Sequence, residues 1–214
     1  MSEVNTRRGY HSPMRAESAK RTQRAIVAAA RELFLHRGYT ATSLRDVAEA
    51  AGVARPTVAA AFGSKPALLR RIVDEALAGD DEPVPVAQRP WFAPVWQAAT
   101  PAGVLDAYAG VAVLINVRTA GLFEVVHRAA GGSPELNELW ANLEGNRRIG
   151  AAAVVNHART LGPIRDDLDL DHVADALWTL NDPALYARLV LEKGWSEADY
   201  RRFLARQMAA AVLP

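Results

Sequence analysis

Apolar side chains recur every three to four residues along most of this chain, and the pattern predicts helices almost throughout. The clearest case runs from Arg21 to His36, with Gly38 beyond the last turn as a stop. Later helices are expected over residues 102–118, 119–130, 134–160, 169–181, 183–192 and 196–212. Alternation typical of strands is rare, so we predict an all-α fold.

Residues 43–62 carry a more specific pattern, two short helices joined by a tight turn at Gly52. Ser43 is placed to cap the first helix, and glycine is the residue best suited to a left-handed turn between the two. Pro56 lies just inside the second helix, where a missing amide hydrogen is tolerated. The spacing is that of a helix-turn-helix, whose second helix fits the major groove of DNA.

Another helix is expected from Ser64 to Gly79, after which five prolines between positions 83 and 101 exclude one continuous helix. The same stretch contains Trp91, Phe92 and Trp96, too much apolar surface for a solvated linker. We therefore predict a broken connection that packs across a second helical domain.

Charge is distributed unevenly along the chain. Residues 1–71 hold 13 Lys and Arg against five Asp and Glu, whereas residues 72–214 hold 12 against 19. The near-neutral total of +1 hides a basic N-terminal third, of the kind that neutralises DNA phosphates. A solvated basic face would give the same count, so the charge supports DNA binding only together with the helix-turn-helix. The absence of Cys excludes disulfides, thiolate metal sites and a cysteine nucleophile.

The N-terminal motifs resemble the DNA-binding domain of the tetracycline-repressor (TetR) family. The matching segments are Ala-Ala-Arg-Glu-Leu-Phe-Leu-His-Arg-Gly-Tyr at 29–39, Thr-Ser-Leu-Arg-Asp-Val-Ala at 42–48, Ala-Gly-Val at 51–53 and Phe-Gly-Ser-Lys-Pro-Ala-Leu-Leu at 62–69. The resemblance implies a homodimeric transcriptional regulator, expected to be a repressor. Such a protein binds a palindromic operator on double-stranded DNA and responds to a small-molecule effector.

The resemblance also divides the chain into three parts. We expect a flexible basic arm (1–19), a helix-turn-helix DNA-binding domain (20–66) and a helical regulatory and dimerisation domain (67–214). An alternative for the arm is contact with a minor groove through its arginines, which are Arg7, Arg8 and Arg15.

Carried over position by position, the DNA contacts of the family fall on Thr42, Ser43, Arg45, Arg55, Pro56, Thr57 and Lys65. The resemblance assigns Thr42 and Lys65 to phosphates. On the reading helix, Arg55 has the chemistry to bond guanine bidentately, and Pro56 can lie against a thymine methyl group.

The reading helix departs from the family pattern at three positions. Ala59 stands where Tyr is usual, Ala61 where His or Tyr is usual, and Ala54 where Ser or Thr is frequent. Each lost hydrogen bond to phosphate costs about 1.5 to 3 kcal/mol. Either Arg45, Arg55 and the basic arm compensate, or the protein binds DNA weakly or reads an unusual site.

Aromatic and polar side chains of the second domain indicate a ligand pocket. The predicted pocket residues are Trp96, Arg118, Phe123, His127 and Trp140, with Asn116 nearby in sequence. Arg118 and His127 interrupt apolar stretches, which makes them candidate anchors for an acidic or aromatic ligand. The alternative for each aromatic residue is a place in the core.

The helices near 169–181 and 196–212 have wide apolar faces. Such faces belong either to the core of one subunit or to a dimer interface. The resemblance favours a four-helix bundle shared by two subunits.

We expect no enzyme activity, no cofactor and no metal site. Residues 63–65 lack the first glycine of a phosphate-binding loop, and the acidic cluster at 166–171 lacks the glycine and distal Glu of a calcium loop. The first residues lack the apolar core of a signal peptide, and Asp106 and Asn116 interrupt the longest apolar stretch. A cytoplasmic protein without membrane association is therefore expected.

Two other classes of protein stay open. One is a helical interaction or adaptor protein that keeps the fold but has lost operator binding, which the alanines of the reading helix would explain. The other is an all-α enzyme that uses a cavity in the second domain.

Overall fold

The computed structural model of the chain describes residues 13–214, and every regular element in that range is helical. The helices are α1 (Pro13–Arg37), α2 (Leu44–Ala50), α3 (Arg55–Phe62), α4 (Lys65–Ala78), α5 (Ala93–Gln97), α6 (Pro101–Ala130), α7 (Pro134–Leu161), α8 (Leu170–Leu180), α9 (Pro183–Tyr186) and α10 (Glu197–Val212). The all-α prediction is confirmed. Arg7 and Arg8 of the predicted arm lie outside the described residues.

Helix α1 begins eight residues before the start that the apolar period predicted. Residues 13–19 are therefore helical, and the prediction of a mobile arm is wrong for this part. The reason is composition, because Ala, Glu, Lys and Arg are good helix formers even without an apolar face, and Pro13 suits a first helical position.

The chain divides into two compact units, of which unit 1 ends at Leu68 and unit 2 spans residues 69–214. The division falls inside α4, two residues beyond the expected boundary at 66. Unit 1 therefore consists of α1, α2, α3 and the first turn of α4.

Unit 1 is a helix-turn-helix held by its predicted local signals. Ser43 caps α2, since its hydroxyl accepts from the Asp46 N–H and the Asp46 carboxylate accepts from the Ser43 N–H at 2.8 Å. Gly52 has a φ of 66°, and Pro56 lies in the first turn of α3. Val58 is fully buried and anchors α3 to the core.

Helix α6 is the central helix of unit 2 and packs against α7, α9 and α10. Its 30 residues are continuous, so the prediction of two helices, 102–118 and 119–130, is wrong. Polar side chains interrupt the apolar pattern here without interrupting the backbone. Thr119, for example, donates its hydroxyl to the Ile115 carbonyl one turn earlier, at 2.9 Å.

Helix α6 is also long and apolar enough to cross a membrane, with a mean hydropathy of 1.6 over its most apolar window. In the structure 56% of that window is buried, and Val104 and Leu105 are completely inaccessible. This burial is that of the central helix of a folded core.

The last third of unit 2 follows the predicted helices closely. Asp169 caps α8 by accepting from the His172 N–H at 2.9 Å, and Asp167 pairs with Arg165. The acidic cluster thus serves a helix end, and no group of three or more potential metal-binding side chains occurs within residues 13–214. The helix predicted over 183–192 begins as α9 and continues as a π-helical segment, Ala187–Glu192.

The proline-rich connection is ordered by one buried arginine. Arg89 is 5% exposed, and its guanidinium donates to the Asp80 carboxylate at 2.7 Å and to the carbonyls of Glu82 and Val84 at 2.7 and 3.0 Å. These hydrogen bonds hold the 80–87 loop against the Arg89 guanidinium. The Trp96 indole of α5 donates to the carbonyl at the end of this loop, Ala87, at 2.8 Å.

Arg118 closes the C-terminal end of α4. Its guanidinium donates to the Leu77 carbonyl at 3.1 Å and lies over the Trp91 ring, 5.1 Å from the centroid. Burial lowers the pKa of this guanidinium. Gly79 follows with a φ of 91°, and a Cβ at this position would overlap the Arg118 side chain.

We therefore expect Gly79→Ala to destabilise unit 2 by about 1 to 2 kcal/mol, because an L side chain is strained at this φ and displaces the guanidinium. Equilibrium urea unfolding measures the change. Gly131→Ala is the matched control, since Gly131 ends α6 at a φ of −66° with open space around it. Equal stability of the two variants would contradict this account of the helix end.

Candidate nucleic-acid interface and ligand cavity

The outer face of α3 is the candidate DNA-reading surface of unit 1. Arg55, Pro56 and Thr57 are exposed at the start of the helix, and the exposed Ala59 and Ala60 follow. A helix that enters a major groove presents its N-terminal residues to the base edges. This face offers one cation, one hydroxyl and otherwise small apolar groups.

Helix α2 adds a second exposed cation, Arg45. Ser43 is also exposed, but its hydroxyl is occupied by the cap, with an Oγ to Asp46 Oδ2 distance of 2.7 Å. These hydrogen bonds from Ser43 lower the pKa of the Asp46 carboxyl. Ser43 is therefore mainly a structural residue that keeps Arg45 on an ordered helix.

Thr42, assigned above to phosphate, lies inside unit 1. It is 1% exposed, and its hydroxyl donates to the Gly38 carbonyl at 2.9 Å. A buried hydroxyl that is already donating cannot reach a phosphate without rearrangement. The prediction of a phosphate contact by the Thr42 side chain is corrected, because the hydroxyl closes the turn after α1.

Lys65 is likewise engaged within unit 1. Its ammonium donates to the carbonyls of Tyr39 and Thr42, both at 2.8 Å, and lies 4.0 Å from the centroid of the Tyr39 ring. Burial lowers the pKa of this amine. Lys65 thereby ties the start of α4 to the loop between α1 and α2, and a phosphate contact through its third hydrogen stays a prediction.

Unit 2 contains a cavity of about 820 Å³, enough for a drug-sized molecule. Its walls come from the end of α4, the 80–87 loop, α5, α6 and α7. The aromatic lining residues are Phe92, Trp96, Tyr108 and Phe123. The acidic lining residues are Asp74, Glu75, Asp80, Asp81 and Glu82.

Further polar side chains line the cavity from three elements. Tyr108 and Asn116 come from α6, Arg147 from α7 and Asn181 from the end of α8. The Asn181 amide donates to the Tyr108 hydroxyl at 2.9 Å. Burial raises the pKa of Tyr108 to about 12, so the phenol stays protonated at neutral pH.

The structure brings only two of the five predicted pocket residues to the cavity, Trp96 and Phe123. Arg118 caps α4 as described. His127 is exposed and stacks on Trp140 with ring centroids 4.7 Å apart. Neither anchor predicted for the ligand is therefore among the lining residues, because an interruption of an apolar pattern does not tell which neighbour a polar side chain meets.

Arg147 and Asn181 had no signal in the sequence. Arg147 lies within a polar helical turn, where the sequence pattern predicts a solvent-exposed arginine. The pattern around Asn181 predicts only the end of a helix. Only the packing of α6, α7 and α8 brings these residues to one cavity.

Comparisons with known proteins agree with the two-unit architecture. The sequence model of the family described as bacterial regulatory proteins, tetR family, matches residues 26–72. The HTH-type transcriptional regulator EthR of Mycolicibacterium smegmatis is 26% identical over 196 residues, which are 90% of this chain and 85% of that protein.

Solved structures share the fold over both units. A protein from Saccharomonospora viridis, described as a transcriptional regulator in complex with choline, has a TM-score of 0.70 at 19% identity, over 93% of this chain and 99% of that one. A protein from Rhodococcus sp., described as a TetR-family transcriptional regulator, has a TM-score of 0.66 at 17% identity, over 90% and 98% of the two chains.

The family match falls on the helix-turn-helix, and the structural likeness continues through the helical unit that follows it in sequence. By class the protein is a DNA-binding transcriptional regulator. Its residues 26–72 match the tetR family of bacterial regulatory proteins, and over most of its length it is similar to the regulator EthR.

The contacts of Lys65 predict a loss of stability when its ammonium is removed. We expect Lys65→Met to lower the free energy of unfolding by about 1 to 3 kcal/mol, because two charge-assisted hydrogen bonds are lost. Urea unfolding measures the change, and Arg55→Met, on the exposed face of α3, is the control expected to stay within about 0.5 kcal/mol of wild type. If Lys65→Met keeps full stability but binds every DNA sequence more weakly, the main role of Lys65 is a phosphate contact and this account is wrong.

Proposed function

We propose that this protein is a repressor that binds a two-fold symmetric operator as a homodimer and releases it when a small molecule occupies the cavity of unit 2. The observation that carries the DNA-binding part is the exposed face of α3. The side chains there are exposed at Arg55, Pro56 and Thr57, while Val58 is buried and packs α3 against the core of unit 1.

Arg55 is the candidate base reader, since a guanidinium can donate to O6 and N7 of one guanine at the same time. Thr57 can donate to phosphate, and Arg45 adds a cation from α2. The exposed Ala59 and Ala60 permit a close approach and apolar contact with thymine methyl groups, but supply no hydrogen bond. Because Thr42 and Lys65 are engaged internally, specific recognition depends largely on Arg55.

We expect Arg55→Ala to flatten the sequence preference, with a loss of about 1 to 3 kcal/mol confined to the preferred operator. Arg45→Ala should weaken all sequences similarly and reduce the slope of log affinity against log salt by about one unit. Selection of fragments from genomic DNA supplies the operator, and fluorescence anisotropy across salt concentrations measures both variants.

Arg128→Ala, which removes an exposed arginine near the end of α6, is the control and should behave as wild type. Recovery of a dyad-symmetric consensus supports a regulator that reads DNA. Recovery no better than that of an unrelated basic protein would reject it in favour of an interaction or adaptor protein with the same fold.

The cavity of unit 2 is the candidate effector site. Helix α4 supplies Arg71, Asp74 and Leu77 to its wall and begins at Lys65 in unit 1, so a ligand acts on a helix that both units share. The Saccharomonospora viridis protein in complex with choline supports the binding of small organic molecules by this fold. An operator target implies that the protein works in the cytoplasm.

The homodimer is proposed to form through the end of unit 2 where α10 begins. Much of the apolar face predicted for dimerisation is used within the subunit, since Leu177 of α8 and Leu204 of α10 are fully buried. Leu191, which is 63% exposed, and Trp195, which is 39% exposed and meets Phe203 edge-on at 5.7 Å, lie between the two predicted helices and are the apolar patch proposed for the interface. A second copy of the chain would cover this patch.

We expect the wild type to be dimeric at micromolar concentration and the double variant Leu191→Asp/Trp195→Asp to be monomeric, because two carboxylates would be desolvated in the interface. Light scattering coupled to size-exclusion chromatography measures the mass, and circular dichroism checks that the helices remain. Leu168→Asp, at a leucine that is 42% exposed elsewhere in unit 2, should stay dimeric. A monomeric wild type would contradict the proposal.

A further inference from the structure

The carboxylates that line the cavity of unit 2 all come from one short segment of the chain. Asp74, Glu75, Asp80, Asp81 and Glu82 belong to the end of α4 and the start of the 80–87 loop. The described lining residues of α5, α6 and α7 include no Asp or Glu. We call residues 74–82 the acidic wall, because they give the cavity its negative charge.

Exposure to solvent differs between the acidic wall and the rest of the lining. Asp74, Asp80 and Glu82 are exposed, so charged groups lie where the cavity meets water. Much of the remaining lining is apolar or aromatic and buried, namely Phe92, Tyr108, Val111, Ala112, Phe123 and Leu143. A molecule that fills the cavity would therefore place its apolar part against the buried lining and keep any charged group at the acidic wall.

The two guanidiniums that line the cavity are already engaged within the protein. Arg71 pairs with Glu75 of the acidic wall at 2.5 Å. Arg147 donates to the Glu144 carboxylate at 2.8 Å and to the Trp178 carbonyl at 2.9 Å. An anionic ligand would have to displace one of these partners or lie without a cation near the acidic wall, and both are unfavourable.

Two carboxylates of the acidic wall lack such a partner. Asp80 is paired with Arg89 at 2.7 Å, but Asp74 and Glu82 form no ion pair with any residue in the range 13–214. Arg118, which donates to the end of α4, is not among the lining residues. The acidic wall therefore presents more negative charge to the cavity than its own arginines neutralise.

The ionisation of Asp74 agrees with this excess of negative charge. Partial burial of its carboxyl raises the pKa, although the neighbouring Arg70 and Arg71 act in the opposite direction. The charged form is thus less favourable in the empty protein than in water. A cation brought by a ligand would stabilise it, and it need not contact every carboxylate, because screening is incomplete within a Debye length of about 8 Å.

We propose that the cavity binds a cationic amphiphile, a molecule whose apolar body packs against the buried lining and whose positive group, such as a protonated amine, lies at the acidic wall. Phe92 and Trp96 stack with ring centroids 5.1 Å apart and give the apolar body an aromatic surface. This inference rests on the proposed effector site and specifies the charge of its ligand.

Three probes with one phenylhexyl body test the inference: 6-phenylhexan-1-amine, 6-phenylhexan-1-ol and 6-phenylhexanoate. Calorimetry on the full chain at neutral pH measures affinity. The protonated amine should bind at least about tenfold more tightly than the acid, with the alcohol between them, and added salt should reduce the difference. An amine that binds no more tightly than the alcohol, or an acid that binds as tightly as the amine, would overturn the inference.

The double variant Asp74→Asn/Glu82→Gln separates charge from shape. It should weaken the amine about tenfold and leave the alcohol unchanged, because only the ion-pair contribution is removed. The melting temperature of the free protein should not fall, since neither carboxylate is paired within the protein. Glu138→Gln, at an exposed glutamate of α7 outside the cavity lining, is the matched control and should bind all three probes as wild type does.

If the double variant does not fold, the two single variants test the same point, and each should weaken the amine but not the alcohol. Unchanged amine affinity in the folded variants would overturn the inference. Release of operator DNA by the amine is measured separately. Amine binding that depends on Asp74 and Glu82 but causes no release would support the ligand charge while rejecting ligand-controlled repression. Release by other compounds, without preference for the amine, would do the reverse.

Discussion

Cationic side chains that donate to backbone carbonyls at helix ends are the interaction on which much of this structure depends. The last carbonyls of a helix have no partner within the helix, and Lys or Arg can satisfy them and complement the negative end of the helix dipole. The pairs are Arg118 with Leu77 of α4, Arg147 with Trp178 of α8 and Arg165 with Ala210 of α10. Each pair also joins segments that are distant in sequence, so helix termination and tertiary packing depend on the same groups.

This use of cations is what the sequence could not show. The resemblance assigned Lys65 to phosphate, and Arg118 was a candidate ligand anchor because it interrupts an apolar stretch. Both donate to main-chain carbonyls, which are present everywhere and leave no mark in the sequence. The excess positive charge of the N-terminal third still attracts DNA. Fewer of its cations are free to contact phosphate than the count suggests. Arg45 and Arg55 gain importance accordingly.

The features predicted correctly are those encoded within a few residues. The Ser43 cap, the Gly52 turn and the position of Pro56 each depend on neighbours at most four positions away, so the helix-turn-helix follows from local chemistry. The cavity does not, because its polar contacts span 73 residues between Tyr108 and Asn181. Sequence analysis found the aromatic lining in part, through Trp96 and Phe123. It missed Arg147 and Asn181, which only helix packing brings to the cavity.

Buried arginines of unit 2 are tolerated because each is both neutralised and hydrogen-bonded. At the end of α8, Arg147 donates to the Trp178 carbonyl at 2.9 Å and to the Glu144 carboxylate at 2.8 Å, so one cation satisfies a main-chain acceptor and is itself paired. Arg89 does the same for the carbonyls of the 80–87 loop. A buried cation without such partners would be strongly unfavourable, so the contacts that keep these arginines inside unit 2 also make them unavailable to an anionic ligand.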